Sequence, residues 1–116
     1  MYKQRFYKLV DKRVISISLE EMITREEPVF TPIKRTEIGS YSVNTVFLGI
    51  DHSFGGRVPL LFETAILNKY GIEIIGRTST YNDALEMHNK TVIQGLSKSP
   101  FLYKLKYKIN KYLNSE

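Results

Sequence analysis

The 116-residue sequence contains no cysteine and no long run of apolar residues. The lack of cysteine excludes disulfide bonds, thiol catalysis and cysteine-ligated metal sites, and it is compatible with a reducing cytoplasm. Because a membrane-spanning helix needs about 18 consecutive apolar residues, we expect no membrane span. The basic segment Met1–Arg5 is not followed by the apolar core of a secretory signal, so no such signal is predicted.

Motifs that bind nucleotides or activate a nucleophile are also missing. Gly49, Gly55 and Gly56 match neither the dinucleotide-binding fingerprint nor the phosphate loop that ends in Lys-Ser or Lys-Thr. No Gly-x-Ser-x-Gly nucleophile elbow occurs. A zinc site without cysteine would need His52, His88 and a carboxylate to converge. We therefore predict no metal site and no cofactor.

Length, composition and charge indicate one soluble globular domain with a basic end. Hydrophobic residues make up 42% of the chain and charged residues 25%, which is ordinary for such a domain. Basic and acidic residues cancel over residues 1–89, whereas residues 90–116 hold six lysines and only Glu116 as an acid. We predict a single α+β domain over residues 1–96. Residues 97–116 are predicted to be a basic amphipathic extension that packs on this domain or on a partner.

Local signals near the N-terminus predict a hairpin and a short helix. The segment Tyr7–Ser16 mixes apolar and basic residues and is expected to turn at Asp11-Lys12. Ser18 with Glu21 three positions later is a capping box, which predicts the start of a helix. This helix is expected to end near Glu26, because a proline follows shortly after it.

The middle of the chain is typical of strands joined by turns. Gly39-Ser40 is a two-residue hairpin loop of the Gly-X type, and Asn68–Gly71 is a second turn. Four strands are predicted, over Ile33–Ile38, Tyr41–Ile50, Val58–Leu67 and Ile72–Arg77.

Two helices are predicted after these strands. Thr80 is expected to cap the first helix, and Gly95 is expected to stop it. Ser99-Pro100 is expected to start a second helix, whose apolar stripe comprises Phe101, Leu102, Leu105, Ile109, Tyr112 and Leu113. The predicted fold is α+β, with a mostly antiparallel sheet of four to five strands and two to three helices, the last one basic and amphipathic.

A glycine-rich segment between two apolar strands, Asp51–Arg57, holds the first candidate site residues. Asp51 and His52 are able to act as an acid and a base, although adjacent residues of an extended chain point to opposite sides. In the alternative interpretation, Asp51 binds loop amides and His52 packs over the end of the hairpin. Arg57 adds a cation that is suited to an anionic ligand.

Three further candidates lie on the following strands and helix. Glu63 is a carboxylate in an otherwise apolar strand, and a buried charge needs a partner. Arg57 or Arg77 would supply that partner and present an anion site, unless Glu63 is an exposed residue of an edge strand. His88 lies on the apolar stripe of the helix that begins at Thr80; such a histidine is more often a core residue than a ligand.

The basic C-terminal extension is a candidate for nucleic-acid binding. Tyrosines alternate there with Lys104, Lys106, Lys108 and Lys111, and aromatic side chains stack on bases while lysines follow phosphates. A solvated lysine face on a packed helix has the same pattern. The extension contains no arginine, the usual reader of bases, so sequence-specific recognition is not predicted.

Residues 45–54 have the pattern T-x-FLG-x-DH-x-F, and Pro59–Thr64 have the sequence PLLFET. Both segments resemble a family of small phage and prophage proteins of unassigned function. The pattern Arg-x-Ser-Thr-x-x-x-Ala-x-x-x-His over Arg77–His88 and the helix start over Ile15–Glu21 are similar to that family as well. The resemblance covers roughly residues 12–95. It implies a phage or prophage origin and action in the cytoplasm of a bacterial host.

The resemblance further implies an accessory protein that acts without catalysis, by blocking a host or defence protein or by sequestering a nucleotide-type signal. The candidate ligand-binding residues are Asp51, His52, Arg57, Glu63, Arg77 and His88. A small hydrolase that uses Asp51, His52, Glu63 and His88 is the alternative from another class. Nonspecific nucleic-acid binding through the extension is a third hypothesis, and a homo-oligomer is compatible with the sequence.

Overall fold

Two antiparallel sheets and two helices make up the part of the chain that the structure describes. A computed structural model describes residues 5–26, 28 and 30–97. The elements are β1 (Phe6–Val10), β2 (Arg13–Ile17), α1 (Leu19–Thr24), β3 (Thr31–Ile38), β4 (Tyr41–Phe47), β5 (Phe62–Asn68), β6 (Gly71–Thr78) and α2 (Tyr81–Ser97). The predicted α+β class is confirmed. Neither of these helices is long and apolar enough to cross a membrane.

The strand count differs from the prediction of four to five, because the N-terminal hairpin adds two strands. β1 and β2 form a separate two-stranded sheet, and β3 to β6 form a four-stranded meander in chain order. The helix that was predicted from Ser99 onward lies outside the described residues.

Three of the predicted turns are confirmed. Asp11 and Lys12 have φ angles of 51° and 68°, as a two-residue hairpin loop of type I′ requires. Gly39 has a φ of 58° in the turn between β3 and β4, which is the left-handed conformation expected for the Gly-X loop. Between β5 and β6, Asn68 pairs with Gly71, and the Asn68 side chain accepts a hydrogen bond from the amide of Tyr70.

The two predicted helix starts that lie within the described residues, at Ser18 and Thr80, are also confirmed. The Ser18 hydroxyl accepts the amide of Glu21 at 3.1 Å, and the Thr80 hydroxyl accepts the amide of Asp83 at 3.1 Å. The Glu21 carboxylate extends to the Lys8 ammonium at 2.8 Å. The two caps satisfy amides that the first helical turn leaves without partners.

The prediction that Gly95 stops the helix is wrong, since α2 continues to Ser97. A Cβ atom at position 95 would collide with the hydroxyl of Tyr41 on β4. Gly95 therefore allows close packing of the helix on the sheet. Its role is steric contact between two elements, which a C-terminal stop signal does not capture.

Two predicted strand ends are wrong. β4 ends at Phe47 rather than at Ile50, and β5 begins at Phe62 rather than at Val58. Residues 48–61 therefore form one loop, which we call the β4–β5 loop. Ile50 pairs instead with Phe6 as an isolated bridge, so a contact with the N-terminal hairpin replaces the continuation of the ladder.

Helix α2 covers one face of the four-stranded sheet. Along each strand alternate residues share a face, and the covered face carries Val43, Thr45 and Phe47 of β4 next to Phe62, Thr64 and Ile66 of β5. The core beneath the helix consists of two clusters: Ile38, Val43 and Val92, and Phe47, Leu61, Phe62 and Ala84. The β1–β2 hairpin packs against the second cluster through Tyr7, Leu9 and Val14.

Candidate functional site

Asp51 holds the base of the β4–β5 loop. Its Oδ1 atom accepts the amides of Ser53 at 2.8 Å and Leu60 at 3.0 Å, and its Oδ2 atom accepts the Ser53 hydroxyl at 2.9 Å. Oδ2 also accepts Nε of Arg5 at 2.9 Å and forms an ion pair with that guanidinium. The interpretation of Asp51 as an acceptor of loop amides is the one that these contacts favour.

The Asp51 carboxylate is buried and ionised. Burial by itself would raise the pKa of this carboxyl, but the amides of Ser53 and Leu60, the Ser53 hydroxyl and Arg5 outweigh burial and lower the pKa. Arg5 also donates to the carbonyl of Gly56 at 2.9 Å. The guanidinium thus connects the N-terminal segment to both sides of the loop.

His52 is a half-buried residue of the β4–β5 loop, and one of its ring nitrogens contacts the backbone. Its Nδ1 atom lies 2.7 Å from the carbonyl oxygen of Ile50. Because a carbonyl only accepts, Nδ1 carries the proton, and in the neutral ring Nε2 carries the lone pair. The ring meets the edge of Phe54 at a centroid distance of 6.4 Å. Asp51 and His52 do not form a hydrogen-bonded pair among the contacts of the described residues.

The tip of the loop, residues 54–58, is exposed. Phe54 is 66% exposed and Val58 is 60% exposed. Arg57 is exposed as well, and it has no hydrogen-bond or ion-pair partner among the described residues. Phe54 has a φ of 54°, a left-handed conformation that costs about 1–3 kcal/mol for a bulky residue.

Glu63 and Arg77 form an ion pair across β5 and β6. The two residues are directly opposite in the ladder. Glu63 Oε1 accepts a hydrogen bond from Arg77 Nε at 3.0 Å and forms an ion pair with Nη2 at 2.9 Å. The structure therefore selects Arg77 rather than Arg57 as the partner of Glu63. The pair lies on the sheet face that α2 leaves uncovered, and each charge is neutralised by the other.

His88 lies under α2 and is 0% exposed. Its Nε2 atom is 2.8 Å from the Thr36 hydroxyl, and its Nδ1 atom is 2.8 Å from the Thr45 hydroxyl. The Thr45 hydroxyl is in turn 2.7 Å from that of Thr64. Burial, with a smaller contribution from the charge of Lys34, lowers the pKa of the imidazole to about 4. The ring is thus a neutral link between the helix and three strands.

The structure does not gather the candidate residues into one cleft. Thr64 faces the helix and the His88 network, so its neighbour Glu63 faces the opposite side of the sheet. Asp51 and His52 belong to the loop, and His88 has no access to solvent. Lys104, Lys106, Lys108 and Lys111 lie outside the described residues. Among the described residues, no group of three histidine or acidic side chains is arranged to hold a metal ion.

Sequence reasoning missed Arg5 and the three threonines of the His88 network. Arg5 is 46 residues from Asp51 in the chain, and no local pattern indicates such a pairing. Thr45 and Thr64 carry a weak signal, since each is a polar residue on a strand face that is otherwise apolar, whereas Thr36 shares its face of β3 with Lys34. That signal becomes informative only when the register of the three strands is known.

Comparisons of the chain with protein-family models, with curated proteins and with solved structures gave no match.

Proposed function

We propose that this chain is a phage or prophage accessory protein that binds a host or defence protein in the bacterial cytoplasm and catalyses no reaction. In this proposal the contact is made by the tip of the β4–β5 loop, residues 54–58. The observation that carries the proposal is an exposed aromatic residue, Phe54, three positions before an exposed arginine, Arg57, on a loop whose base is held by hydrogen bonds. The phage origin rests on the resemblance of residues 45–54 and 59–64 to that family.

The base of the β4–β5 loop is already ordered before any partner binds. Leu48 and His52 donate their amides to the carbonyls of Leu61 and Leu60 at 2.7 and 2.9 Å, which closes the base as a short ladder. The Asp51 contacts close it a second time. A loop that is already ordered loses little conformational entropy when a partner binds, so more of the contact energy appears as affinity.

The backbone conformation of Phe54 also supports a binding role for the loop tip. A positive φ at a bulky residue persists only when the surrounding contacts impose it, and such strain concentrates at functional sites. Here it places an aromatic ring at the surface with 66% of its area exposed. A residue that only stabilised the fold would be expected to bury this ring.

The side chains at the loop tip are of the types that bind protein partners. Aromatic and arginine side chains carry a large share of the binding energy in protein interfaces. Phe54 and Val58 suit an apolar pocket, and Arg57 suits a carboxylate at its rim. We therefore expect the partner to present an apolar pocket next to an acidic side chain.

The candidate acid–base groups give little support to the hydrolase alternative. Asp51 accepts several hydrogen bonds and an ion pair, Glu63 is paired with Arg77, and His88 is buried and bonded at both nitrogens. A general base needs access to the proton that it abstracts. Of the four residues, His52 alone combines partial exposure with a ring nitrogen suited to accept a proton.

The test is affinity capture from the bacterial host with the wild-type chain and with the double variant Phe54→Ser/Arg57→Ser. A captured protein is then purified and titrated against both forms. We expect the double variant to bind at least about 30-fold more weakly, since two central interface residues contribute about 2 kcal/mol or more.

The matched control is Lys69→Ser/Tyr70→Ser, which removes an exposed cation and an exposed aromatic ring from the turn between β5 and β6. This variant should bind like the wild type. Equal binding by the loop-tip variant, or equal loss in the control, would contradict the proposal.

A small anionic ligand, such as a nucleotide signal, is the second candidate function. It is favoured by Arg57, which has no ion-pair partner among the described residues, and by its place in the same loop as His52. Calorimetric titration with a nucleotide panel should give heat with the wild type and none with Arg57→Ser. A flat response across the panel would count against this candidate and leave the protein-binding proposal standing.

A further inference from the structure

The sheet face opposite α2, which we call the open face, has an exposed apolar end. Directly opposite residues of an antiparallel ladder share a face, so Ala65 with Ile74 and Leu67 with Ile72 lie on the side away from the helix. Ile72 is 71% exposed and Ile74 is 51% exposed. Single exposed apolar residues are common, but a contiguous group on one face marks a surface that another segment covers.

The end of α2 brings the chain to this part of the sheet. Gly95, two residues before the helix ends, packs against Tyr41 at the start of β4. Next to Tyr41, Ser42 begins the cross-strand row that continues through Leu67 to Ile72. The chain that follows Ser97 therefore starts at the same end of the sheet as the exposed isoleucines.

The length of the remaining chain fits the open face. Residues 98–116 follow the helix. About six extended residues, at roughly 3.3 Å each, are enough to pass from the helix layer around to the other side of the sheet, so in this arrangement the helix predicted from Ser99 would start about four residues later. The remaining 13 or so residues would span about 20 Å as a helix, at 1.5 Å each, which is close to the length of a six- or seven-residue strand.

The sequence of that segment has the required pattern. Leu105, Ile109, Tyr112 and Leu113 are spaced i, i+4, i+7 and i+8, which is the spacing of one apolar helix face. Lysines occupy positions between them, as expected for the side that faces water. A tethered segment also acts at an effective concentration of roughly millimolar, which favours it over a second copy of the chain for the same surface.

We propose that residues 98–116 dock on the open face of the sheet, with the apolar stripe that starts at Leu105 against Ile72 and Ile74. The extension then forms a third layer of this chain, and its lysines become part of the protein surface. This proposal is independent of the function proposed for the β4–β5 loop.

The absence of cysteine makes disulfide trapping a direct test, because any introduced pair is the only one in the chain. Ile74→Cys is combined in turn with Leu105→Cys, Ile109→Cys and Tyr112→Cys, and each full-length variant is oxidised under mild conditions. We expect at least one pair to form an intrachain disulfide, seen as a faster-migrating monomer and confirmed by mass spectrometry. Glu86→Cys, on the exposed side of α2, replaces Ile74→Cys as the control and should form none.

A second measurement tests the proposal even if the introduced cysteines are not oriented to form a disulfide. The isoleucine methyl resonances of the full chain are compared between Leu105→Ser/Ile109→Ser and the matched variant Lys104→Ser/Lys108→Ser. The first variant should shift the methyl signals of Ile72 and Ile74, and the second should leave them unchanged. Absence of both the disulfide and the methyl shift would overturn the proposal, as would a disulfide that links two chains, which would assign the face to a second copy.

Discussion

Asp51 and His88 are both buried polar residues, yet the structure uses them in opposite ways. Asp51 is 5% exposed and charged, with a cation and three donors around it. His88 is 0% exposed and neutral, with a threonine hydroxyl at each ring nitrogen. The first residue holds a loop, and the second holds a helix on a sheet.

The difference shows how a buried group is stabilised. A buried charge is tolerated only with an opposite charge and several hydrogen bonds, which Arg5 and the loop amides supply. A buried imidazole avoids that requirement by releasing its proton, at the cost of a lowered pKa. The charged residue is therefore found at the margin of the fold, near Arg5 and water, and the neutral one at its centre.

The largest expected loss of stability comes from removing the His88 side chain, which lies at the centre of the fold. His88→Ala leaves the Thr36 and Thr45 hydroxyls without their partner and opens a cavity, so we expect a loss of about 4 kcal/mol in the free energy of unfolding. Urea denaturation measures it. His52→Ala, at a half-exposed position, serves as the control and should cost less than about 1 kcal/mol; equal losses would refute the distinction.

Acidification should lower the free energy of unfolding through protonation of His88. The folded pKa of about 4 lies below the ordinary value of 6.5, so between these pH values the unfolded chain binds a proton that the folded chain does not. The free energy of unfolding therefore falls as the pH drops from 6.5 to 4, by about 3 kcal/mol in total.

Urea denaturation at pH 6.5, 5.5 and 4.5 checks this dependence. A folded variant without His88 should lack the contribution in this window. Asp51 contributes in a different range, since a lowered carboxyl pKa gives stability that is lost only below the ordinary carboxyl range. A wild type with constant stability down to pH 4.5 would show that the ring is not held neutral.

Asp51→Ala is expected to cost about 2 kcal/mol, less than the usual loss for a broken buried pair, because Arg5 is 37% exposed and regains water. The change should be local. Hydrogen exchange of the Ser53 and Leu60 amides should accelerate while that of the β4 and β5 core amides responds only to the global loss. Asp51→Asn, which keeps an acceptor for these amides, should lie between the wild type and Asp51→Ala.

The smallest loss of stability is expected from breaking the Glu63–Arg77 pair. It joins the same types of charge as the Asp51–Arg5 pair, but its carboxylate is less buried than that of Asp51. The two side chains are 21% and 30% exposed, and partly solvated pairs contribute about 1 kcal/mol or less. A double-mutant cycle with Glu63→Ala and Arg77→Ala measures the coupling. A coupling larger than that of Asp51 with Arg5 would reverse the proposed order.

The features of the fold that could be predicted are those that depend on neighbouring residues. The turn at Asp11-Lys12, the Gly39 loop and the caps at Ser18 and Thr80 follow from conformational preferences and side-chain hydrogen bonds within four residues. The errors occurred where distant contacts act. Ile50 pairs with Phe6 of the N-terminal hairpin and is not part of the β4–β5 ladder. Gly95 lies within a helix because a side chain there would collide with the Tyr41 hydroxyl.

The sequence indicated several of the residues of the candidate site better than it indicated which of them contact each other. Arg77 was one of two cations considered for Glu63, and the register chose it because it lies directly opposite. Arg5 was missed because its partner is 46 residues away. The exposure of Phe54 also was not predicted, since the same glycine-rich segment is compatible with a buried or an outward-facing ring.

By itself the sequence determined the alternation of strands and helices, the turns and the helix caps, because these depend on interactions between residues close in the chain. Only the tertiary structure decided which polar residues are available for chemistry. The pKa of His88 is lowered by burial under α2 and by the charge of Lys34 on β3, and the pKa of Asp51 is lowered by the amides of Ser53 and Leu60, the Ser53 hydroxyl and Arg5. Ionisation and access to solvent are set by what folds around a group, and that environment comes from distant parts of the chain.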